Sequence, residues 1–280
     1  MLDEFGPKRV WDSPISEAGF AGLGVGAAMV GLRPIIEMMT WNFGIQAFDQ
    51  IINHAAKMLY MSGGQYHVPM VLRGPNGAAH MLGSQHSQSV EHMLATVPGL
   101  KVISVGTPYD AKGLLTAAIE DPNPIMVFEH KFLYRSVREE IPDEYYTVEI
   151  GNASVPREGT DISIITYGLG VHWALEYAEN HSDVSIEVID LRTLLPLDEE
   201  TIYASVKKTG KAIVLHEDCM TGGIGGELVA RITEHCFQFL DAPVKRVASL
   251  DTPVPFAAKL EEQFLPKERL DEVMNVLLSY

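Results

Sequence analysis

The chain has 280 residues, 46% hydrophobic and 21% charged, the balance of a folded globular protein with about two domains. Its net charge of −16 excludes nucleic acid as the main partner, because phosphate binding needs a basic face and no basic cluster occurs. Cys219 and Cys236 are too few for a disulfide framework or a zinc site, the N-terminus lacks the layout of a signal peptide, and no apolar run approaches a bilayer span, so a cytoplasmic protein with no membrane partner is expected.

Residues 9–12 read as a short extended run that delivers the chain to Pro14. The stretch Ser13-Pro-Ile-Ser-Glu-Ala-Gly-Phe-Ala-Gly-Leu-Gly-Val-Gly-Ala-Ala-Met29 then predicts a helix over about 17–30, with Ser16 able to cap its first N–H groups and Glu17 at its start. Each glycine in a helix forfeits roughly 0.8–1 kcal/mol relative to alanine. Close backbone packing, or a flat ligand at the helix start, would compensate. Glu17 reads either as a carboxylate that complements the helix dipole or as a functional group.

Ile35-Ile-Glu-Met-Met39 predicts a short strand suited to a buried parallel sheet. A helix from Ala47 to Tyr60 follows, with Phe48, Ile51, Ile52, Ala55, Ala56 and Leu59 on one face. Val68-Pro-Met-Val-Leu-Arg73 reads as a strand that stops at a Gly74-Pro-Asn-Gly77 turn, and residues 78–89 as a polar loop. A helix at 90–95, a strand at 101–105, a helix at 109–119 and a strand at 125–129 complete the first half. Residues 136–159 read as an irregular connection. The second half repeats the alternation: strands at 162–167, 184–189, 211–215 and 244–248, and helices at 171–179, 198–207, 227–235 and 267–279. Strand and helix alternate throughout, which predicts an α/β fold of two doubly wound domains.

Gly168-Leu-Gly170 and Gly222-Gly-Ile-Gly-Gly226 sit between strand and helix but lack the full dinucleotide fingerprint, so they read as tight turns with close helix–sheet packing. Glu217 and Asp218, after His216, lie at the carboxyl end of a parallel strand, where α/β sheets present chemistry; the bland alternative is a solvated loop. His80, His86 and His92 recur every six residues, a spacing that does not converge on a metal. His86, flanked by Gln85, Ser87, Gln88 and Ser89, is an acid–base candidate. Trp41-Asn-Phe43 puts an aromatic after a strand, and Asp121-Pro-Asn-Pro124 reads as a turn.

Six motifs occur in register: Pro14-Ile-Ser-Glu-Ala-Gly-Phe-Ala-Gly, Gly31-Leu-Arg-Pro, Asp49-Gln-Ile-Ile-Asn, Arg73-Gly-Pro-Asn-Gly, Gln85-His-Ser-Gln and Val97-Pro-Gly-Leu-Lys-Val. With Asp190-Leu-Arg-Thr, His216-Glu and Gly222-Gly-Ile-Gly-Gly-Glu, the chain resembles, over essentially its whole length, the beta subunit of the thiamine-diphosphate-dependent first component of 2-oxo acid dehydrogenase complexes, in the transketolase-like superfamily. The resemblance implies a pyrimidine-binding domain over 1–135, a linker over 136–159 and a transketolase C-terminal-like domain over 160–280. It also implies that family members carry several tens of residues, including a first strand and helix, ahead of the position that matches Met1.

Carried over motif by motif, Glu17 would bond the pyrimidine N1′ of thiamine diphosphate. Phe43 would pack on the aminopyrimidine, and His86 would assist acyl transfer to a lipoyl group. The resemblance further implies a potassium ion held by oxygens of Met70, Ala118, Ile119, Asp121 and Asn123, which revises the plain turn at 121–124. No Gly-Asp-Gly magnesium motif occurs, so an alpha subunit would supply the magnesium and diphosphate half of the site. The implied assembly is a heterotetramer with two of each chain, serving a lipoyl-bearing dihydrolipoamide acyltransferase core. The implied reaction is oxidative decarboxylation of a 2-oxo acid, with Arg73-Gly-Pro-Asn-Gly leaning to pyruvate. Thr107-Pro-Tyr-Asp-Ala-Lys and Glu129-His-Lys resemble acetoin- and branched-chain-type relatives, and a non-catalytic assembly subunit is a further alternative.

Overall fold

The computed structural model describes residues 1–78 and 81–280. Among them the strands are β1 Ile35–Glu37, β2 Val71–Asn76, β3 Lys101–Ser104, β4 Ile125–His130, β5 Ser154–Arg157, β6 Ile162–Thr166, β7 Ile186–Asp190, β8 Thr193–Leu195, β9 Ala212–Cys219 and β10 Lys245–Ser249. They form two five-stranded sheets, ordered β1-β2-β4-β3-β8 and β10-β9-β6-β7-β5. Each is parallel except for one antiparallel edge strand, β8 on β3 and β5 on β7. Helices cover the faces, so β4, β6 and β7 are buried along their full length.

The departures from the expected elements have physical causes. β2 does not stop at Gly74 but runs through Gly74-Pro75-Asn76, paired with Phe128, Glu129 and His130 of β4. The Val71 N–H faces the β1 side, bonding Pro34 O, and by alternation so does the nitrogen of Pro75. β1 has ended by then, so the missing proline N–H breaks no ladder bond. At Gly74 a Cβ would lie 2.5 Å from Met38 O, which explains the glycine inside a strand. β1 itself is the sheet edge, with Ile35 exposed, rather than a buried strand.

The expected regular helix over 47–60 begins earlier, at Trp41, and is wound unevenly. Its middle, Asp49–Ala55, is π-helical, with Ala56 N–H bonding Ile51 O at 3.0 Å. Within the connecting stretch, Ser154–Arg157 is a strand, and Ala258–Phe264 is an additional helix.

β8 follows the second unit's β7 by two residues yet joins the first unit's sheet, with Ser104 N–H bonding Arg192 O at 2.9 Å. Arg192 turns the chain with φ 56° and reaches Asp110 at 2.8 Å. One apolar core therefore runs from Trp41, Leu72 and Phe128 through Leu191 and Leu194 to Ile165 and Val214. The carboxyl ends of β2 and β4 face the carboxyl end of β9 across this junction, and the site is built there.

Candidate functional site

The helix carrying Glu17 spans Glu17–Met29, as expected, and Glu17 is its first residue. Ser16 makes no side-chain capping bond, contrary to expectation. The Glu17 side chain is only 7% exposed, and among the described residues it has no hydrogen-bond or ion-pair partner. Its carboxylate oxygens are not fully enclosed, so they reach the surface of the chain. At a helix N-terminus the carboxylate is an open acceptor for a donor from outside the chain.

Trp41 and Phe43 divide the aromatic roles. Trp41 is core: its Nε1–H donates to Val127 O at 3.0 Å, and its ring stacks on Phe128 at 4.4 Å. Phe43, half-buried, meets the His86 ring edge-to-face at 5.2 Å. Asn42 between them accepts the Gln88 N–H at 2.9 Å, so one helical turn positions both Phe43 and the loop carrying His86. Phe43 and His86 are thus brought together. Glu17 makes no hydrogen bond or ion pair with either, and its helix packs at Gly22 against Gln50 of the helical stretch that follows Phe43. His86 is exposed, and its carbonyl accepts the Lys131 ammonium. Burial pulls the Lys131 ammonium down to about 8, against the pull of Glu217. Ser87, beside it, is buried with an unpartnered hydroxyl.

His216-Glu217-Asp218 are not in a solvated loop; they lie inside β9 and are buried. They meet the first unit in a polar cluster around a cavity of about 20 Å³, room for one water. Glu217 Oε1 accepts the Ala78 N–H at 2.6 Å, and Oε2 lies 2.6 Å from His130 Nε2. His130 Nδ1 accepts the Phe132 N–H at 3.2 Å, which assigns the ring proton to Nε2 and makes Nε2–H the donor to Glu217. Asp218 pairs with His92, whose imidazole is held above its ordinary range by that contact in spite of partial burial. Glu91 accepts from Tyr167 O–H at 2.8 Å and from Asn76; burial first, then Asp218, pushes its carboxyl up to about 7.

His216 itself is fully buried, held down to about 4 by burial, and fills the space under the glycine run. A Cβ at Gly225 would lie 2.4 Å from its Nε2. Close packing on His216 accounts for Gly223 and Gly225, and the positive φ of 81° at the turn accounts for Gly222. Of the histidine trio, His86 and His92 go to different partners, and His80 lies outside the described residues. Glu91, His92 and His130 were invisible as a cluster in sequence, because Tyr167, Asp218 and Glu217, with which they pair, lie 76, 126 and 87 positions further along the chain.

The five positions expected to hold potassium converge where β2 begins and the Pro108–Glu120 helix ends. Arg33 Nη1 donates to Ile119 O at 2.7 Å and to Asp121 O at 2.9 Å. Met70 O accepts the Ile125 N–H at 2.9 Å. Burial raises the Asp121 carboxyl, but Lys101 and Asn123 bond it and leave it below its ordinary range. Each carbonyl keeps a second lone pair. The site therefore fits potassium only as a second cation beside Arg33.

Comparison with known proteins gives two family matches: the transketolase pyrimidine-binding domain over residues 1–137 and the transketolase C-terminal domain over 151–269. The chain is 48% identical over 272 residues to the mitochondrial pyruvate dehydrogenase E1 component subunit beta-1 of Arabidopsis thaliana, covering 95% of this chain and 75% of that protein. It is 47% identical over 280 residues to the pyruvate dehydrogenase E1 component subunit beta of Rhizobium meliloti (strain 1021), covering 99% and 61%. It is also 45% identical over 284 residues to the 2-oxoisovalerate dehydrogenase subunit beta of Bacillus subtilis (strain 168), covering 100% and 87%. A split-gene transketolase, described as an inactive β4 tetramer, superposes with a TM-score of 0.78 at 21% identity, covering 99% of this chain and 86% of that one. That likeness establishes the shared fold.

Proposed function

From a chain that belongs to the transketolase-like beta subunits of the pyruvate dehydrogenase E1 type, we infer a beta subunit that takes part in oxidative decarboxylation of pyruvate and acyl transfer to a lipoyl group. The observation that carries the site reading is Glu17: a buried, unpartnered carboxylate at the first turn of a glycine-rich helix. Such a group fits thiamine diphosphate, whose pyrimidine offers a ring nitrogen that shares a proton with a carboxylate. Bound, the cofactor supplies the electron sink for loss of CO₂.

In this reading Glu17 holds or yields that proton, and the hydrogen bond it makes orients the ring. Phe43 presents an apolar face to the aminopyrimidine, and its edge-on contact with His86 fixes where that imidazole sits. His86, exposed and bounded by polar groups, is the proton donor or acceptor for the incoming lipoyl group. An alpha subunit supplies the magnesium and diphosphate half, in a tetramer of two alpha and two beta chains docked on a dihydrolipoamide acyltransferase core. Residues 1–135 form the pyrimidine-binding unit, 136–159 the connection and 160–280 the C-terminal unit. Potassium, where bound, is held by Met70, Ala118, Ile119, Asp121 and Asn123 beside Arg33 and tethers the end of one helix to the start of β2.

The 45% identity to a 2-oxoisovalerate dehydrogenase subunit supports a second reading, in which the substrate is a branched 2-oxo acid. Co-assembly with an alpha subunit, followed by decarboxylation assays on pyruvate and 2-oxoisovalerate with and without thiamine diphosphate, separates the two. The preferred reading predicts cofactor-dependent turnover with the larger kcat/KM on pyruvate. A loaded, assembled complex that turns over neither acid contradicts both.

A further inference from the structure

Three consecutive residues at the end of β4 make three different long-range contacts: Glu129 with Arg73, His130 with Glu217, and Lys131 with the carbonyl of His86. Glu217 comes from the other unit, at the end of β9, and has both carboxylate oxygens engaged by N–H donors of the first unit. Gly77 lies between these groups, with φ 78°. A Cβ there would sit 2.1 Å from His130 Nε2 and 2.9 Å from Glu217 Oε1, so the chain passes here only because it has no side chain.

We propose that Glu217 is a positioning residue for His86: it clamps Ala78, where the chain leaves β2 toward the His86 loop, and the His130–Lys131 end of β4 that holds His86 itself. The inference rests on the proposed role of His86 in acyl transfer. Other groups on the loop tie it to the same unit, Ser84 to Val254 O at 2.9 Å and Met81 N–H to Glu261 at 2.9 Å. Among these contacts Glu217 differs in facing two donors at once. The His130 proton cannot move to Nδ1, because the Phe132 N–H already points there.

This makes an isosteric change informative. In Glu217→Gln the amide oxygen can take one donor, but the amide NH₂ must then face another N–H. In Glu261→Gln the amide oxygen accepts the Met81 N–H as before. Glu217→Gln therefore releases one of the two donors and loosens either Ala78 or the His130–Lys131 end of β4, and Glu261→Gln loosens neither.

The test uses the chain assembled with its alpha subunit and loaded with thiamine diphosphate. Two activities are read, decarboxylation with ferricyanide as oxidant and acyl transfer to a lipoyl domain, together with hydrogen exchange at Ala78 and at residues 84–88. Glu217→Gln is expected to slow acyl transfer about 10-fold or more in kcat, leave KM for the 2-oxo acid and the ferricyanide rate within about 3-fold, and speed amide exchange in the loop at least about 10-fold. Glu261→Gln is expected to match the parent enzyme in all four. The proposal is overturned when Glu217→Gln leaves loop exchange and acyl transfer unchanged, or lowers both activities equally along with assembly. His86→Ala serves as the separate check on the role it rests on: should that variant retain acyl transfer, the reading of His86 fails, while the exchange result still decides the clamp.

Discussion

Glu91 is a residue whose ionisation the fold controls. Burial and Asp218 push its carboxyl up to about 7, so the folded chain keeps a proton that the unfolded chain has released above the ordinary glutamate range. The folded state binds more protons between about 4.5 and 7, so stability falls as pH rises through that window. Asp190, raised to about 7 mainly by burial, acts in the same direction. His216, held at about 4, acts oppositely, because below 6.5 the unfolded chain gains a proton that the folded chain refuses. Glu91→Gln mimics the protonated acid and keeps partners for Tyr167 and Asn76. Thermal melts from pH 5 to 8 should show its slope flatter than the parent's by one proton, about 1.4 kcal/mol per pH unit below 7. A second residue-scale expectation concerns Arg33, which already bridges Ile119 O and Asp121 O. Replacing potassium by choline should shift the parent's Tm by no more than about 2 °C, whereas in Arg33→Ala the shift should grow, the extra cation now carrying the two carbonyls alone.

At the scale of elements, the glycine-rich helix carries two kinds of glycine. At Gly24 a Cβ would meet Ile36 Cδ1 at 2.2 Å, so this glycine lets the helix lie close on β1. At Gly26 nothing lies within 4 Å in this chain. Gly26→Ala should therefore stabilise the isolated chain by about 0.8–1 kcal/mol in urea unfolding, and Gly24→Ala should give no such gain. The alternation of strands and helices was legible because apolar runs and turn residues are local signals. The end of β2 was not: Gly74-Pro-Asn-Gly77 carries turn chemistry, yet β4 supplies a pairing partner 54 residues away and overrides it. The same holds for Glu217 and Asp218, polar residues whose partners, His130, Ala78 and His92, belong to the other unit. The π-helical turn at Asp49–Ala55 also has no local signature, since its apolar spacing suits an ordinary helix equally well.

For the whole molecule, the two sheets are joined by more than a linker. β8 crosses to the first unit's sheet, the apolar core is continuous, and Glu91, Glu217 and Asp218 lie buried between the units. The loop bearing His86 is held from both sides, so the second unit bears on the proposed chemistry of residues that all lie in the first. In the sequence, Glu17, Phe43 and His86 stood out through their motifs, and the structure brings two of the three into contact. In the proposed function a cofactor shared with an alpha subunit ties Glu17 to them, and that is the central claim. Its most direct test is Glu17→Gln in the chain assembled with its alpha subunit, measuring thiamine-dependent decarboxylation by single turnover alongside assembly by sedimentation. The account predicts a fall in kcat of about 100-fold or more with the tetramer intact; an intact tetramer that decarboxylates within about 3-fold of the parent rate would contradict it.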